Sequence, residues 1–590
     1  MIHKVLKLKI NRLSAKYLNQ FIKLHFGKTF SRYVRRTRYD YFKVNHNPEN
    51  LPYIDLVIIT YNSQKYILRC FRSILTGRYP LNKLNVIIVD NDSKDDTPVT
   101  IRSISNLYEK KLLNLSCVFL NKNLGFGKAI NLAIDKFGYK EAKYILLMNP
   151  DAYFYPDTIL ELVAHALSME KARLVAFEAR QLPYEHPKFY DPVSLETDWF
   201  SGSCVLISKD AFLKVKGFDE NIFLYCEDVD ISWRLRSKGY KLAYIPKATI
   251  WHDIYRYPEE RKFTQFYYSL QSDFILRKKF GTLLDIIIYY LSLFYLYLIE
   301  PELEYKKAIM DIARLTFTSK LKLEKINTNF KPIFLFGNYG FRRKGDFHAS
   351  RKLNSGPLVS VIIRTKNRNP LLREALQSIR NQTYSNIEVI VVEDGSDTAT
   401  KILEEFSDLH IKYISNFQKV GNRSFVGNLG LKQSEGEYIC FLDDDDLFFA
   451  DHIETLVSAA IDRKSLLTYS CGFCSKTKYL SENPLRYVWN MTTEHCSEFN
   501  RHRLKKENYI PLNTFLFHRS LYEKEGGLDE NLQYLEDWDL LRRYAQHCDF
   551  SFVKKTTSIY NIPYSAYDRQ IRQTKLDGTY FLVYSKSLNY

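Results

Sequence analysis

Apolar and polar positions along the chain fall into one pattern that occurs twice. The run DLVIITYN sets a continuous apolar stretch against a polar ending at Thr60, Tyr61 and Asn62, and VSVIIRTKN does the same, ending at Arg364, Thr365, Lys366 and Asn367. Each is followed by a segment with a helical repeat of roughly 3.6 residues, YILRCFRSIL or LLREALQSIR, and then by a second apolar stretch, VIIVDNDS or VIVVEDGS. Strands without alternation are buried on both faces, so this order predicts a βαβ unit in a parallel sheet covered by helices.

Further along, each copy sends another apolar strand directly into polar and acidic residues. YILLMNPD ends at Asn149, Pro150 and Asp151, and YICFLDDDD ends at Asp443, Asp444, Asp445 and Asp446. Both copies later carry an acidic helix start: Glu227, Asp228 and Asp230 in GFDENIFLYCEDVDISWRLR, and Glu536, Asp537 and Asp539 in GLDENLQYLEDWDLLRR. The order is the same in both copies, an internal duplication offset by about 300 residues. Ligands of open α/β sheets bind outside the carboxyl ends of the strands, where the strand-end clusters fall.

Each cluster has two readings. Consecutive aspartates repel one another, so they form either a solvated turn or a site for a hard divalent ion, Mg2+ or Mn2+, completed by phosphate oxygens. The helix-start acids either stabilise the helix through its dipole or include a general base that takes a proton from a hydroxyl. Recurrence of both clusters in the same order favours chemistry. The segment NLGFGKAIN, with Gly125 and Gly127, comes too late after the first strand for a dinucleotide fingerprint, and the chain has no P-loop.

Composition adds bounds. At 590 residues the chain exceeds the roughly 250–300 residues that one core sustains, and its 45% hydrophobic and 26% charged residues exclude a disordered polyelectrolyte and a multi-span membrane protein. The net charge of +18 calls for an anionic partner. Much of it lies in residues 1–50, where the basic side chains from Lys4 to Arg38 face only Asp40 and Glu49 and are interleaved with apolar ones. That segment reads as an amphipathic helix, lying on anionic lipid or packed on its own domain. A terminal excess argues against nucleic acid. The longest apolar run, Ile286 to Ile299, is shorter than the ~20 residues a span needs and reads as a buried or interfacial helix. It falls in a helical linker, 281–355, between domains at 51–280 and 356–590. The first residues lack a secretory signal, and nine scattered cysteines form no framework, so the expected place is cytoplasmic, peripheral on the inner face of the membrane. Cys471 and Cys474 form a lone CxxC without the second pair of a zinc site.

The ordered set TYN, VDN.S.D, NLGFGKAIN, LMNPDA, WFSGSCVLISKDAF, GFDE and YCEDVDISWRLRSKGY resembles the rhamnosyltransferase-like branch of the family-2 glycosyltransferases, from about Leu56 to His252. The second copy, with VVEDGS, GEYICFLDDDDLFFADHIETL and YLEDWDLLRR, resembles the broader family. The resemblance implies two α/β domains of the GT-A type in tandem. It further implies inverting transfer from UDP-, dTDP- or GDP-linked sugars to a lipid-linked acceptor, extending a bacterial surface glycan such as an O-antigen or capsule. It places a divalent cation at Asn149, Asp151 and His252 in one copy and at Asp443, Asp444 and Asp445 in the other. The base falls on Asp228 and Asp537, and the nucleotide pocket on Thr60, Asp90 and Asn91, and on Thr365, Glu393 and Asp394. In SIYNIPYS, Pro563 takes the second histidine position. Two other readings stand beside a bifunctional enzyme: a second copy that only binds acceptor, and a non-catalytic glycan-binding scaffold.

Overall fold

A computed structural model describes residues 50–586, apart from 187, 254–261, 320–322, 327–329, 331, 333, 336–337, 340–341, 346–347, 354 and 483–484, together with 32–36 and 44–45. The chain divides into two compact units, one of Phe42–Asp191 and Leu195–Arg342, the other of Met1–Tyr41, Pro192–Ser194 and Arg343–Tyr590. Each is an α/β domain around a mixed sheet, and the two appear in tandem as the duplication predicts.

In the first unit the sheet runs Asn114–Phe119, Leu84–Asp90, Tyr53–Thr60, Ala142–Met148, Cys204–Ser208, Leu174–Leu182, Lys241–His252 and Ala152–Phe154. The first four strands are parallel, and Cys204–Ser208 enters antiparallel between Ala142–Met148 and Leu174–Leu182. The continuous apolar runs explain the placement. Leu56, Ile58, Val86, Ile87, Ile88 and Leu146 have no exposed surface, because helices cover both faces. Parallel register pairs Thr60 with Asp90, which brings two motif ends to one edge.

The second unit repeats the order: Ile411–Asn416, Ile387–Asp394, Val359–Thr365, Tyr438–Phe441, Phe515–His518, Leu467–Glu482, Ser551–Pro563 and Leu447–Phe448. Thr365 pairs with Glu393, as Thr60 does with Asp90. On the same edge of Leu467–Glu482 as Phe515–His518, further along the strand, this sheet gains two strands, Leu485–His495 and then Arg32–Arg36, which pairs antiparallel from Arg32 opposite Met491 to Arg36 opposite Tyr487. Where the N-terminal segment is described it is thus an edge strand and not a helix; the rest of the expected amphipathic helix lies outside the described residues.

The apolar run forms the helix Leu283–Ile299, started by a capping box in which Thr282 and Asp285 exchange hydrogen bonds and ended before Pro301. It belongs to the first unit and packs with Phe263–Phe280 and Leu303–Phe317 around Phe274, Tyr289, Leu293, Ile309 and Ile312. Among the described residues, no helix is long and apolar enough to cross a membrane. One cysteine expectation is corrected. Cys471 is disulfide-bonded to Cys496 with Cα atoms 4.5 Å apart, while Cys474 is free and buried. The two strands Leu467–Glu482 and Leu485–His495 bring Cys471 beside Cys496, a pairing across a hairpin that CxxC spacing does not reveal.

Candidate active sites at the strand ends

In the first domain the polar strand ends build a layered site. Thr60 Oγ1 donates to Asp90 Oδ1 at 3.0 Å, and Asp90 accepts from the Ser93 backbone and hydroxyl at 3.1 and 2.6 Å. Asn91 accepts from the Leu124 N–H at 2.8 Å and donates to the Gly125 carbonyl at 3.1 Å, fixing the loop before the helix Phe126–Phe137. Gly125 has φ +82°, and a Cβ there would lie 2.3 Å from the Phe223 carbonyl oxygen, so this turn needs glycine.

Asn149, Asp151 and His252 converge as expected. The strand pairing sets His252 opposite Ala152; its Nε2 lies 3.2 Å from Asp151 Oδ1 and 3.5 Å from Asn149 Nδ2, and its Nδ1 is 2.9 Å from Gln181 Oε1. With Gln181 Oε1 accepting from Nδ1, a neutral ring turns its Nε2 lone pair toward a carboxylate. In that tautomer two acceptors face each other, an arrangement that a proton or a metal ion between them satisfies, so these residues fit a divalent cation. Burial works against the charged Asp151, but His252 and hydrogen bonding outweigh it and hold its pKa below the ordinary value.

The acidic helix start separates into two roles. Asp230 is fully buried and paired with Arg234 at 2.6 Å and with Lys279, a structural anchor. Asp228 is partly exposed, accepting from the Gly202 N–H at 3.1 Å and the Val229 N–H at 2.8 Å. Burial raises its pKa despite these bonds and the ammonium of Lys188, and burial together with Asp228 pushes Glu227 up to about 8. The preceding Cys226 is left-handed, φ 66°, which turns the chain sharply into the helix. Behind Asp228 lies a pair that the sequence reading missed: Lys188 Nζ bonds Glu178 on the buried strand Leu174–Leu182.

In the second domain Asp537 stands in the same place. Leu535 is left-handed at φ 60°, and Asp537 accepts from the Trp538 N–H at 2.9 Å and from Asn508 Nδ2 at 3.1 Å. Burial and the neighbouring Glu536 push it up to about 6. Asp539 pairs with Arg543 at 2.9 Å, matching Asp230 with Arg234. Asp394 accepts from the Gly421 N–H at 2.8 Å, the counterpart of Asn91 and Leu124. Glu393 is fully buried and tied to Ser396, Thr398, Ala399 and Tyr413; these bonds overcome burial and bring its pKa to about 2. It braces the turn.

The aspartates that end the strand differ from expectation. Arg364 grips both oxygens of Asp443 at 2.7 and 2.9 Å, and Arg423 adds a third contact at 2.7 Å. Asp444 accepts from Thr365 Oγ1 at 2.7 Å and pairs with Arg368, whose Nη1 reaches Asp445 at 3.0 Å; Asp446 accepts from the Asn561 N–H at 2.9 Å. Asp443, Asp444 and Asp445 are each paired with a guanidinium, while Asp446 meets only a backbone N–H, so Asp443, Asp444 and Asp445 do not fit the expected divalent ion. Nor does Pro563 hold the histidine position. Leu447 pairs with Ile559, and extending that register by one residue sets Tyr560 opposite Asp446, as His252 stands opposite Ala152. Among the described residues no cluster of three His, Cys, Asp or Glu side chains has metal-ligand geometry in either domain.

Comparison with known proteins completes the picture. An uncharacterized glycosyltransferase of Rickettsia bellii is 25% identical over 421 residues, 68% of this chain, and the chain spans only 54% of that relative's length. The N-acetylglucosaminyl-diphospho-decaprenol L-rhamnosyltransferase of Mycobacterium tuberculosis is 26% identical over 242 residues, 34% of this chain and 75% of that one. A mannosyltransferase from Pyrobaculum calidifontis, solved with GDP-Man and Mn2+, covers 48% of the chain and 79% of its own at 16% identity, with a TM-score of 0.34. The description "Glycosyl transferase family 2" matches residues 55–207 and again 360–526, more than half of the sequence, and the chain therefore belongs to that family, in two copies.

Proposed function

We propose that the chain is a bifunctional inverting glycosyltransferase, each domain moving a sugar from a nucleoside diphosphate donor to a growing glycan on a lipid-linked acceptor at the inner face of the membrane. One observation carries this reading: Asp228 and Asp537 occupy matching positions, partly exposed after a left-handed turn, each fixed by hydrogen bonds and each with a raised pKa. Such a carboxylate is placed to take the proton of an acceptor hydroxyl as its oxygen bonds to the anomeric carbon and the bond to the diphosphate breaks. In the first domain Asn149, Asp151 and His252 would hold a divalent cation, which supplies charge neutralisation for the leaving diphosphate. The decaprenol-linked substrate in the mycobacterial relative's name supports a lipid-linked acceptor, and O-antigen or capsule synthesis is the setting that suits it.

The test is a donor screen with purified full chain: release of UDP, dTDP or GDP from their sugars, with Mg2+ or Mn2+ and with acceptor lipid extracts. Two donor classes are expected. No release from any donor would leave the glycan-binding scaffold as the better reading.

A further inference from the structure

Basic side chains of the second domain stand where the first has neutral ones. Counted from the shared Thr-x-Asn turn, Arg364, Lys366 and Arg368 replace Ile59, Tyr61 and Ser63; Arg423, first residue of its helix, replaces Phe126. In the same comparison Asn149, Pro150, Asp151 and Ala152 become Asp443, Asp444, Asp445 and Asp446, and His252 becomes Tyr560. The second copy has gained acids and guanidinium groups together and has lost the imidazole. Arg364 is buried, bridging Asp443 and Glu536, the latter at 3.0 Å. Inserting a dication would break this bidentate buried pair and set it among three guanidinium groups, a repulsion that low local dielectric makes severe. Lys366, Arg368 and Arg423 pair with Asp394, with Asp444 and Asp445, and with Asp443, yet remain 49%, 45% and 48% exposed, so they also face solvent at the strand ends. Guanidinium groups match phosphate oxygens in geometry as well as charge.

We propose that in the second domain the protein's own cations take the place of the metal. The chain carries one divalent-cation site, in the first domain, and the second domain meets a nucleoside diphosphate with Arg368, Arg423 and Lys366. This rests on the cation site read above in the first domain.

Electron paramagnetic resonance titration of the full chain with Mn2+, alone and with UDP, dTDP or GDP, tests it. One bound Mn2+ per chain is expected, lost in Asp151→Ala and retained in Asp445→Asn. Two bound ions, or loss of the ion in Asp445→Asn, overturns the proposal. No bound ion overturns it as well, and takes the first domain's cation site with it. Calorimetry of Asp151→Ala in EDTA supplies the second arm: one of the three nucleotides should still bind, about tenfold or more weaker in Arg423→Gln and partly restored in Arg423→Lys. Circular dichroism controls for folding. Nucleotide binding that appears only when Mn2+ is added, or that Arg423→Gln and Arg368→Gln leave unchanged, refutes it.

Discussion

At the scale of single residues, the proposed bases Asp228 and Asp537 carry the most direct test. Replacing a general base typically costs 10²–10⁴-fold in rate, and Asp228→Asn or Asp537→Asn should lose that much in its own domain. Because burial raises both carboxyls, their charged form is disfavoured in the fold, so the neutral amide should not lower the melting temperature near pH 8. A melting point that falls sharply would make these carboxylates structural. The base must be deprotonated to act, so the second domain's kcat/KM should rise with pH and level off above about 6. The pair behind Asp228 behaves differently. Lys188→Ala leaves Glu178 buried without its partner and should destabilise the first domain by about 3–5 kcal/mol, whereas Glu178→Gln with Lys188→Met should recover much of that in chemical denaturation. The spacing of the acidic motifs singled out Asp228, Asp537 and Asp151 as candidates in the sequence. The partners of the aspartates at the second strand end were not, because Arg364 and Asp443 lie 79 residues apart and meet only once the parallel strands align. The signals were charged residues inside the all-buried LVAFEARQL and the basic run RTKNR.

At the scale of elements, the helix Leu283–Ile299 buries one side and leaves Leu284, Ile287, Leu291, Phe294 and Leu298 between 48% and 62% exposed. These positions share one helical face, a stripe suited to the acyl boundary of a membrane. If it carries the peripheral attachment proposed above, Leu291→Glu with Phe294→Glu should release the chain from anionic vesicles in flotation assays, while high salt alone should not. Unchanged flotation would return the attachment to the basic N-terminal residues. The run's composition and its stop at Pro301 were readable, as was its insufficient length for a span. The strand Arg32–Arg36 was not, since RYVRR has no strand alternation of apolar and polar residues, and its partner arises only from the hairpin at 467–495.

For the whole molecule, the duplication was the most legible feature, because continuous apolar strands and strand-end acids repeat in one order. The divergence between copies is legible only once register is known, as with Tyr560 in place of Pro563. On the proposed reading, two active sites would carry out two distinct steps. Asp228→Asn and Asp537→Asn should stall at different products by mass spectrometry, one at unmodified acceptor and the other one sugar later, and mixing the two variants should restore extension. Full-length product from either variant alone would make that copy dispensable. The strand Arg32–Arg36 has one further consequence, in time rather than space. It precedes the first domain in the chain yet completes the sheet of the second, so during synthesis it emerges about 450 residues before its partner strand. At ribosomal rates that is a wait of roughly 25–90 s, in which the first domain can fold completely while this segment stays unpaired. A separately produced second domain would be born with its outer strand edge open, and a synthetic peptide carrying residues 32–36 should bind to it and raise its melting temperature, as a strand supplied from outside completes a pilin.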